Sequence, residues 1–193
     1  RVVGLTKTGV LPEAIAEIAL ENKSVNISCG RAKSAIQCIE YEEFPDMRFA
    51  GETFKLAIDR EECRDMILET VFATTQDDSK PLLTGALLEI GESISLVATD
   101  MYQLAKRSAP LKESVPQRSV IIPGKSLVEI ARMMDETETD VELVFTRTHV
   151  KVDLTGSCLV ARLLEGDYID YRPLLPKEFK TRVLINRGEL IES

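Results

Sequence analysis

Residue types that could support catalysis are few and isolated in this sequence. His149 is the only histidine among 193 residues, and a general base would need an oriented partner and a nearby nucleophile. Lys125-Ser126 is similar to the end of a phosphate-binding loop, but Ser119 stands six residues before the lysine, where that loop requires glycine. We therefore expect His149 to be an exposed turn residue and predict no nucleotide-binding loop.

Residues that could bind a metal are also poorly placed. The acidic run at 135–140 lacks the glycine and the ligand spacing of a calcium loop, which favours a solvated loop between a helix and a strand. The cysteines lie far apart and form no C-x-x-C pair, so we predict buried thiols rather than a zinc site or a disulfide framework. They are Cys29, Cys38, Cys63 and Cys158. The sequence thus predicts no catalytic site, no metal and no cofactor.

Composition and charge limit the class of protein. The chain is 44% apolar and 29% charged, which is typical of a globular domain. Its formal net charge is -8, with 24 Lys and Arg against 32 Asp and Glu, so any contact with nucleic acid is expected on one face only. No run approaches the roughly 20 apolar residues of a membrane helix and no leader opens the chain, so we predict a soluble cytoplasmic protein.

Hydrophobic periodicity predicts the elements that would position any site. Helical spacing is clearest at 60–72 and 125–134, each with a single apolar face. Short strands are predicted around hairpin turns at Gly91 and Gly156. The strands are 85–90, 93–98, 119–122, 141–145, 150–154 and 158–164. Many strands with few helices, not in strict alternation, predict an α+β fold rather than a doubly wound sheet.

The chain contains an internal repeat, which indicates tandem copies of one domain. Three pairs of segments match at spacings of 111 to 127 residues: 11–19 with 122–131, 26–46 with 150–170, and 54–62 with 179–189. Leu11-Pro12 followed by Glu-Ile-Ala at 17–19 recurs as Ile122-Pro123 followed by Glu-Ile-Ala at 129–131. We interpret this as one helix start, at 11–12 and at 122–123, that occurs twice. The growing spacing indicates that the first copy lacks about a dozen residues near Leu20, enough for one strand and its turn.

Four motifs, in order, carry a family resemblance. They are KPLLTGALLE at 80–89, LVATDMYQLA at 96–105, VIIPGK at 120–125 and LLEGDYIDYRPLLP at 163–176. Over essentially its whole length the chain resembles the bacterial sliding clamps, the beta subunits of DNA polymerase III. The resemblance implies the sliding-clamp fold, with tandem repeated domains, antiparallel sheets outside and helices lining a ring. It places 1–50 late in an incomplete first domain, 51–178 over a complete second domain and 179–193 at the start of a truncated third.

In that family two subunits close into a homodimeric ring around duplex DNA, and no reaction is catalysed. The implied function is that of a DNA polymerase processivity factor in replication, a nucleoid-associated protein that needs only weak, sequence-independent attraction to phosphates. By this resemblance Lys125 contacts DNA phosphates, and Arg132 and Arg64 face the hole. The alternative is that these cations are solvated helix positions paired with acidic residues of the same helices.

The resemblance also implies an apolar pocket on the outer wall. It would bind Gln-Leu-x-Leu-Phe peptides of the DNA polymerase III alpha subunit, the clamp loader and other clamp-binding proteins. The corresponding residues here are Leu83, Thr99, Met101, Tyr102, Leu104, Ile169 and Leu174. The three leucines are alternatively core residues. Met101-Tyr102-Gln103 stands where the family usually carries Gly or Ser, then His and Arg, and Ile169 stands where Pro is common, so the peptide preference stays open.

Two other functions remain as alternatives. A clamp-like peptide-binding module that does not encircle DNA would keep its function when Lys125 and Arg132 are neutralised. A hydrolase would need a nucleophile or a set of metal ligands at the Thr99-Asp100 turn or in the acidic run, and the sequence shows neither.

Overall fold

A computed structural model describes residues 16–21, 23–39, 53–111, 115–134, 140–154 and 156–192. The chain divides into two compact units, residues 1–48 and 49–193. The helix start expected at 11–12 and most of the acidic run lie outside the described residues. Within the described residues, no helix is long and apolar enough to cross a bilayer.

The first unit is a three-stranded antiparallel sheet with strand order β1-β2-β3. Its strands are β1 (Glu17–Glu21), β2 (Ser24–Cys29) and β3 (Ala32–Gln37). The interpretation of 17–19 as part of a helix that begins at 11–12 is therefore wrong, because Glu17 lies opposite Ser28 and the whole of β1 pairs with β2. Ile18, Ala19 and Leu20 are consecutive apolar residues without the two-residue period of a half-buried strand, so the backbone partners that β2 supplies decide the conformation.

The second unit repeats the order strand, helix and three strands. The first half contains β4 (Phe54–Asp59), α1 (Arg60–Leu68), β5 (Gly85–Ile90), β6 (Ser93–Thr99) and β7 (Leu104–Pro110). The second half contains β8 (Arg118–Pro123), α2 (Gly124–Met133), β9 (Asp140–Phe145), β10 (His149–Leu154) and β11 (Ser157–Arg162). A short helix, α3 (Arg187–Glu192), lies near the end of the chain.

The two halves of this unit exchange strands. One antiparallel sheet has the order β7-β6-β5-β8 and the other the order β11-β10-β9-β4. Each sheet thus combines three consecutive strands of one half with the first strand of the other half. The helices pack against each other and against the inner faces of the sheets, around a core that includes Leu88, Leu96, Ile122, Leu143 and Val152. Neither half can bury its apolar face alone.

Local signals explain where the helices begin and end. Asp59 accepts hydrogen bonds from the backbone of Glu61 and Glu62 at 3.0 and 3.2 Å and so caps α1. The helix predicted to reach residue 72 ends at Leu68, because the buried Thr70 hydroxyl donates to the Met66 carbonyl at 2.6 Å and a 3-10 turn follows. In contrast, α2 lies within one residue of its prediction.

Two predictions about single residues are corrected. Cys63 and Cys29 are buried as expected, and burial raises the pKa of the Cys63 thiol to about 12. Cys158 is exposed, because β11 is the edge strand of its sheet and the residue lies on the face away from the core. His149 is half-buried at the start of β10, with Nδ1 2.9 Å from the Thr148 hydroxyl, and is not an exposed turn residue.

Candidate functional site

The segment 163–172, here called the strap, lies across the outer face of the β7-β6-β5-β8 sheet. It begins where β11 ends, and its first anchor is the backbone of Leu164, whose N–H donates to the Ile121 carbonyl at 2.9 Å. Gly85 is packed so closely beneath it that a Cβ there would stand 2.8 Å from Leu164 Cδ1. The strap therefore joins the end of one sheet to the outer face of the other.

The second anchor of the strap is the Tyr168 side chain. Its hydroxyl accepts a hydrogen bond from the Thr99 backbone N–H at 3.2 Å and donates to the Gly85 carbonyl at 3.3 Å. Burial raises the pKa of this phenol, so the hydroxyl keeps its proton at neutral pH. One side chain thus ties the start of β5, the end of β6 and the strap together.

The third anchor is Tyr171, which is only 1% exposed. Its hydroxyl donates to Glu89 Oε2 at 2.6 Å and accepts from Lys106 Nζ at 3.1 Å. Arg172 bonds the other oxygen of the same carboxylate, and the charge of Glu89 raises the pKa of the guanidinium. Burial and the bond to Glu89 together raise the pKa of the Tyr171 phenol. The far end of the strap is therefore fixed by a charged network.

The turn between β6 and β7 is held by its own side chains. The Thr99 hydroxyl donates to the Gln103 carbonyl at 2.7 Å and accepts from the Met101 N–H at 3.1 Å. Asp100 Oδ1 accepts from the N–H groups of Gln103 and Tyr102, both at 2.9 Å, and these bonds hold the pKa of the carboxyl below its usual value. Met101 occupies the left-handed region at φ 81°, where glycine is favoured.

The structure brings part of the predicted pocket together. Leu83 and Thr99 are buried, and Leu104 and Ile169 are half-buried. Tyr168 connects the segments that carry Leu83, Thr99 and Ile169. The remaining three predicted residues are exposed: Met101, Tyr102 and Leu174. Tyr102 is 95% exposed and is the most exposed of the set. Burial supports the core alternative for Leu83 but not for Leu104 or Leu174.

The two tyrosines that organise this site were missed from the sequence. Tyr168 and Asp170 lie within the repeat at 150–170 and the motif at 163–176, but neither pattern assigns them a role. Two tyrosines separated by two residues next to an Asp, after a strand, could have indicated anchors, since a buried tyrosine hydroxyl usually finds a partner. The identity of those partners could not be predicted from the sequence.

A cleft of about 740 Å³ borders the strap. It is lined by β5, β8 with the residue before it, the turn that carries Arg147, and the strap. Ile169 is the only predicted pocket residue among the described residues that line it. The cleft therefore contains little of the predicted pocket.

The cations predicted to face DNA lie on the two helices. Lys125, Arg64 and Arg132 are all exposed. Arg132 pairs with Glu129 at 2.8 Å, as the alternative interpretation expects, whereas in the described part of the chain Lys125 and Arg64 form no ion pair. Arg64 lines a shallow cleft of about 610 Å³ together with Arg60. The helices thus present a mixed rather than a strongly basic surface.

The turn considered for a hydrolase uses its polar groups internally. The Thr99 hydroxyl and the Asp100 carboxylate are both engaged by backbone groups of the turn. Among the described residues there is no group of three or more His, Cys, Asp or Glu side chains that could hold a metal ion.

Comparison with known sequences identifies the family. The family model for the central domain of the DNA polymerase III beta subunit matches residues 57–170. The beta sliding clamp of Bacillus subtilis strain 168 is 31% identical over 188 residues, which cover 95% of this chain and 49% of that protein. The beta sliding clamp of Staphylococcus aureus strain Mu50 is 27% identical over 164 residues, covering 84% of this chain and 44% of that protein.

Solved structures show the same fold. The sliding clamp of Bacillus subtilis superposes with a TM-score of 0.79 at 29% identity, covering 98% of this chain and 51% of that chain. The beta subunit of Thermotoga maritima gives 0.77 at 27% identity, with coverage of 97% and 51%. A Pseudomonas aeruginosa sliding clamp bound to griselimycin gives 0.70 at 27% identity, with coverage of 86% and 45%. The chain spans about half the length of these relatives. It belongs to the family of bacterial DNA polymerase III beta subunits, the sliding clamps.

Proposed function

We propose that this chain is part of a DNA polymerase processivity factor, a ring-shaped clamp that encircles duplex DNA and tethers replication proteins. The observation that carries the proposal is the two-sided construction of the second unit. Helices with exposed cations lie on the inner side of the β7-β6-β5-β8 sheet, and the anchored strap lies on its outer side. One side is suited to slide along a polyanion, and the other to hold a peptide.

The inner side of the second unit is suited to a weak attraction to DNA phosphates. Lys125 lies in the first turn of α2, where Pro123 at the N-cap supplies no side-chain acceptor. The positive end of the helix dipole therefore adds to the lysine charge and favours a phosphate. Acidic neighbours such as Glu61, Asp65 and Glu129 limit the attraction. A ring with such an inner surface would retain DNA by enclosing it. It could move along the DNA because its attraction to the phosphates is weak.

The ring requires more than the second unit. We infer that residues 1–50 belong to a first clamp domain, 51–178 form the second and 179–193 begin a third. Support comes from the helix starts: Asn186 Oδ1 accepts from the Gly188 N–H at 2.9 Å at the start of α3, as Asp59 accepts at the start of α1. A homodimer of three-domain subunits would then close around the duplex, in the cytoplasm and near the nucleoid.

The outer side is the proposed docking site for partners. Their peptides would lie between the β6–β7 turn and the strap, against Leu104 and Ile169, with Met101, Tyr102 and Leu174 at the rim. The partners are the DNA polymerase III alpha subunit, the clamp loader and other proteins with a clamp-binding motif. In this role the protein is non-catalytic: it holds enzymes on DNA.

The encircling function is tested in a chimera of the Bacillus subtilis clamp in which the aligned region is replaced by this sequence. We expect the chimera to stay on nicked circular DNA and to leave after the DNA is linearised. Lys125→Ala should lower the slope of log retention against log salt by about 1, because one phosphate contact is lost. Lys55→Ala, whose lysine pairs with Glu142 on an outer sheet face, removes the same charge and serves as the control.

Two outcomes would contradict this proposal. Equal retention on circular and linear DNA would show that the chimera does not encircle the duplex. Unchanged retention at low salt after Lys125→Ala and Arg132→Ala together would favour the clamp-like peptide-binding module that does not encircle DNA.

A further inference from the structure

The backbone hydrogen bonds between β5 and β6 end one hydrogen-bonded residue pair before the strands themselves end. Pairing of the two strands runs to Leu87 opposite Val97. At the same register, the next hydrogen-bonded pair would be Gly85 with Thr99, whose N–H would donate directly to the Gly85 carbonyl. Instead, the Tyr168 hydroxyl lies between these two groups: it accepts from the Thr99 N–H at 3.2 Å and donates to the Gly85 carbonyl at 3.3 Å. A side chain from the strap thus replaces one backbone hydrogen bond of the sheet.

This insertion separates the ends of the two strands. A direct backbone bond would bring donor and acceptor to about 2.9 Å, whereas here an oxygen atom stands between them. Gly85 follows directly after the 3-10 turn that contains Leu83. Thr99 opens the β6–β7 turn. The distance between the start of β5 and the end of β6 is therefore set by a hydroxyl group that belongs to a third segment, the strap.

We propose that Tyr168 is a positioning residue for the peptide pocket: its hydroxyl holds the ends of β5 and β6 apart and fixes Leu83, Thr99 and Ile169 relative to one another. The inference rests on the proposed docking function and names a determinant of that site outside its contact residues. Ile169 directly follows Tyr168, so the same anchor orients the strap residue that faces the peptide. Loss of the hydroxyl would leave two backbone groups without their partner or let the strands close.

Tyr171 provides a matched comparison within the same strap. It also donates its hydroxyl hydrogen bond to another segment, but the acceptor is Glu89, with Lys106 as the donor on the other side. Neither residue belongs to the predicted pocket. Removing this hydroxyl should loosen the strap without changing the spacing between Gly85 and Thr99.

The test compares Tyr168→Phe, Tyr171→Phe and the parent chain by residue-resolved NMR titration. The probe is the acetylated and amidated peptide Gln-Leu-Ser-Leu-Phe, and the temperature is one at which thermal melts show all three proteins folded. We expect Tyr168→Phe to weaken binding about fivefold to tenfold, the effect of one lost buried hydrogen bond. Tyr171→Phe should stay within about twofold of the parent.

A second measurement separates positioning from general loss of structure. Each leucine of the peptide is replaced by alanine in turn, and the effect of Tyr168→Phe is measured again. If Tyr168 places the pocket walls against a leucine side chain, its effect should shrink to within about twofold for at least one shortened peptide. A general effect on folding would stay the same for every peptide and would overturn the proposal.

Other outcomes also decide the question. Equal affinities of the parent and Tyr168→Phe would overturn the positioning role while leaving the docking site intact. If the parent itself shows no shifts around Thr99 and Ile169, the proposed docking function fails, and the positioning role fails with it. Faster exchange of the Thr99 amide in Tyr168→Phe, with weaker binding, is the combined result that the proposal requires.

Discussion

The two four-stranded sheets of the second unit have the same local topology but different outer faces. On the β7-β6-β5-β8 sheet, Val97 is 0% and Ile121 3% exposed although both lie on the side away from the core. On the β11-β10-β9-β4 sheet, the corresponding side carries exposed ion pairs, such as Lys55 with Glu142 at 2.9 Å. One outer face is covered and partly apolar, and the other is open and charged.

The difference comes from where the chain goes after the third strand of each half. After β11 the strap crosses to the other sheet and buries its outer face. After β7 the chain continues through residues 111–117 to β8. The covered outer face therefore arises where a segment folds back over a sheet, and the sheet itself does not determine it. Four substitutions or titrations test this contrast, in order of decreasing effect.

The largest effect is expected for a charge placed under the strap. Val97→Asp would bury a carboxylate, at a cost of about 3 kcal/mol or more in the free energy of unfolding. Val144→Asp is the matched change on the open face, where Val144 lies opposite Lys55 and Lys151, and should stay within about 1 kcal/mol. Urea unfolding of both variants measures the difference. Equal destabilisation would show that the strap does not bury the face.

The next effect concerns the edge strands. Leu104→Asp on β7 should weaken binding of the Gln-Leu-Ser-Leu-Phe peptide more than about tenfold without unfolding the chain, because the residue is half-buried and belongs to the proposed docking site. Val160→Asp on β11, where Val160 lies opposite Lys151, is the control and should leave binding unchanged. Circular dichroism checks that both variants fold. Broad loss of structure in Leu104→Asp would identify Leu104 as a core residue.

A smaller effect is expected at the turns of the two sheets. Met101 has φ 81° in the β6–β7 turn, and Gly156 has φ 73° in the β10–β11 turn. Met101→Gly should raise the free energy of unfolding by about 0.5–1 kcal/mol, because the left-handed region strains other residues. Gly156→Ala should lower the free energy of unfolding by about 1 kcal/mol for the same reason. The added Cβ would meet no atom within 4 Å, so backbone strain and not a steric clash would cause the loss. Urea unfolding measures both changes. Shifts of the denaturant midpoint in the same direction for the two variants would contradict this explanation.

The smallest effect is a difference in the response of two carboxyl groups to salt. The pKa of Asp153 is lowered chiefly by its bond to Lys151 and then by Cys158, whereas backbone N–H groups lower the pKa of Asp100. A carboxyl group whose pKa is lower in the folded than in the unfolded state stabilises the fold at neutral pH. This contribution is lost as the pH falls through the folded-state pKa, below the usual range of a carboxyl group. We expect added salt to raise the pKa of Asp153 more than that of Asp100, since exposed charge pairs are screened. Carboxyl-carbon NMR titrations at two salt concentrations measure this, and equal shifts would contradict it.

The accuracy of the predicted elements follows from how local their signals are. The strand at 85–90 was predicted at its observed bounds, because Gly91 marks the hairpin. The edge strand β7 was not predicted, since its Lys106, Arg107 and Ser108 obscure the alternation. Residues 17–19 were assigned to a helix because a short repeat of Glu-Ile-Ala matched α2, whereas pairing with β2 determines their structure.

For this protein the sequence by itself determined the family, the alternation of strands and helices, and which residues stand at the turns of the candidate site. These depend on neighbours along the chain. The tertiary structure alone decided that the two halves exchange strands, that the strap covers one sheet, and that Tyr168 completes the β5–β6 ladder. Tyr168 is 69 residues from Thr99 and 83 from Gly85. A hydrogen bond between such distant residues leaves no periodic pattern in a sequence, so only the folded chain shows it.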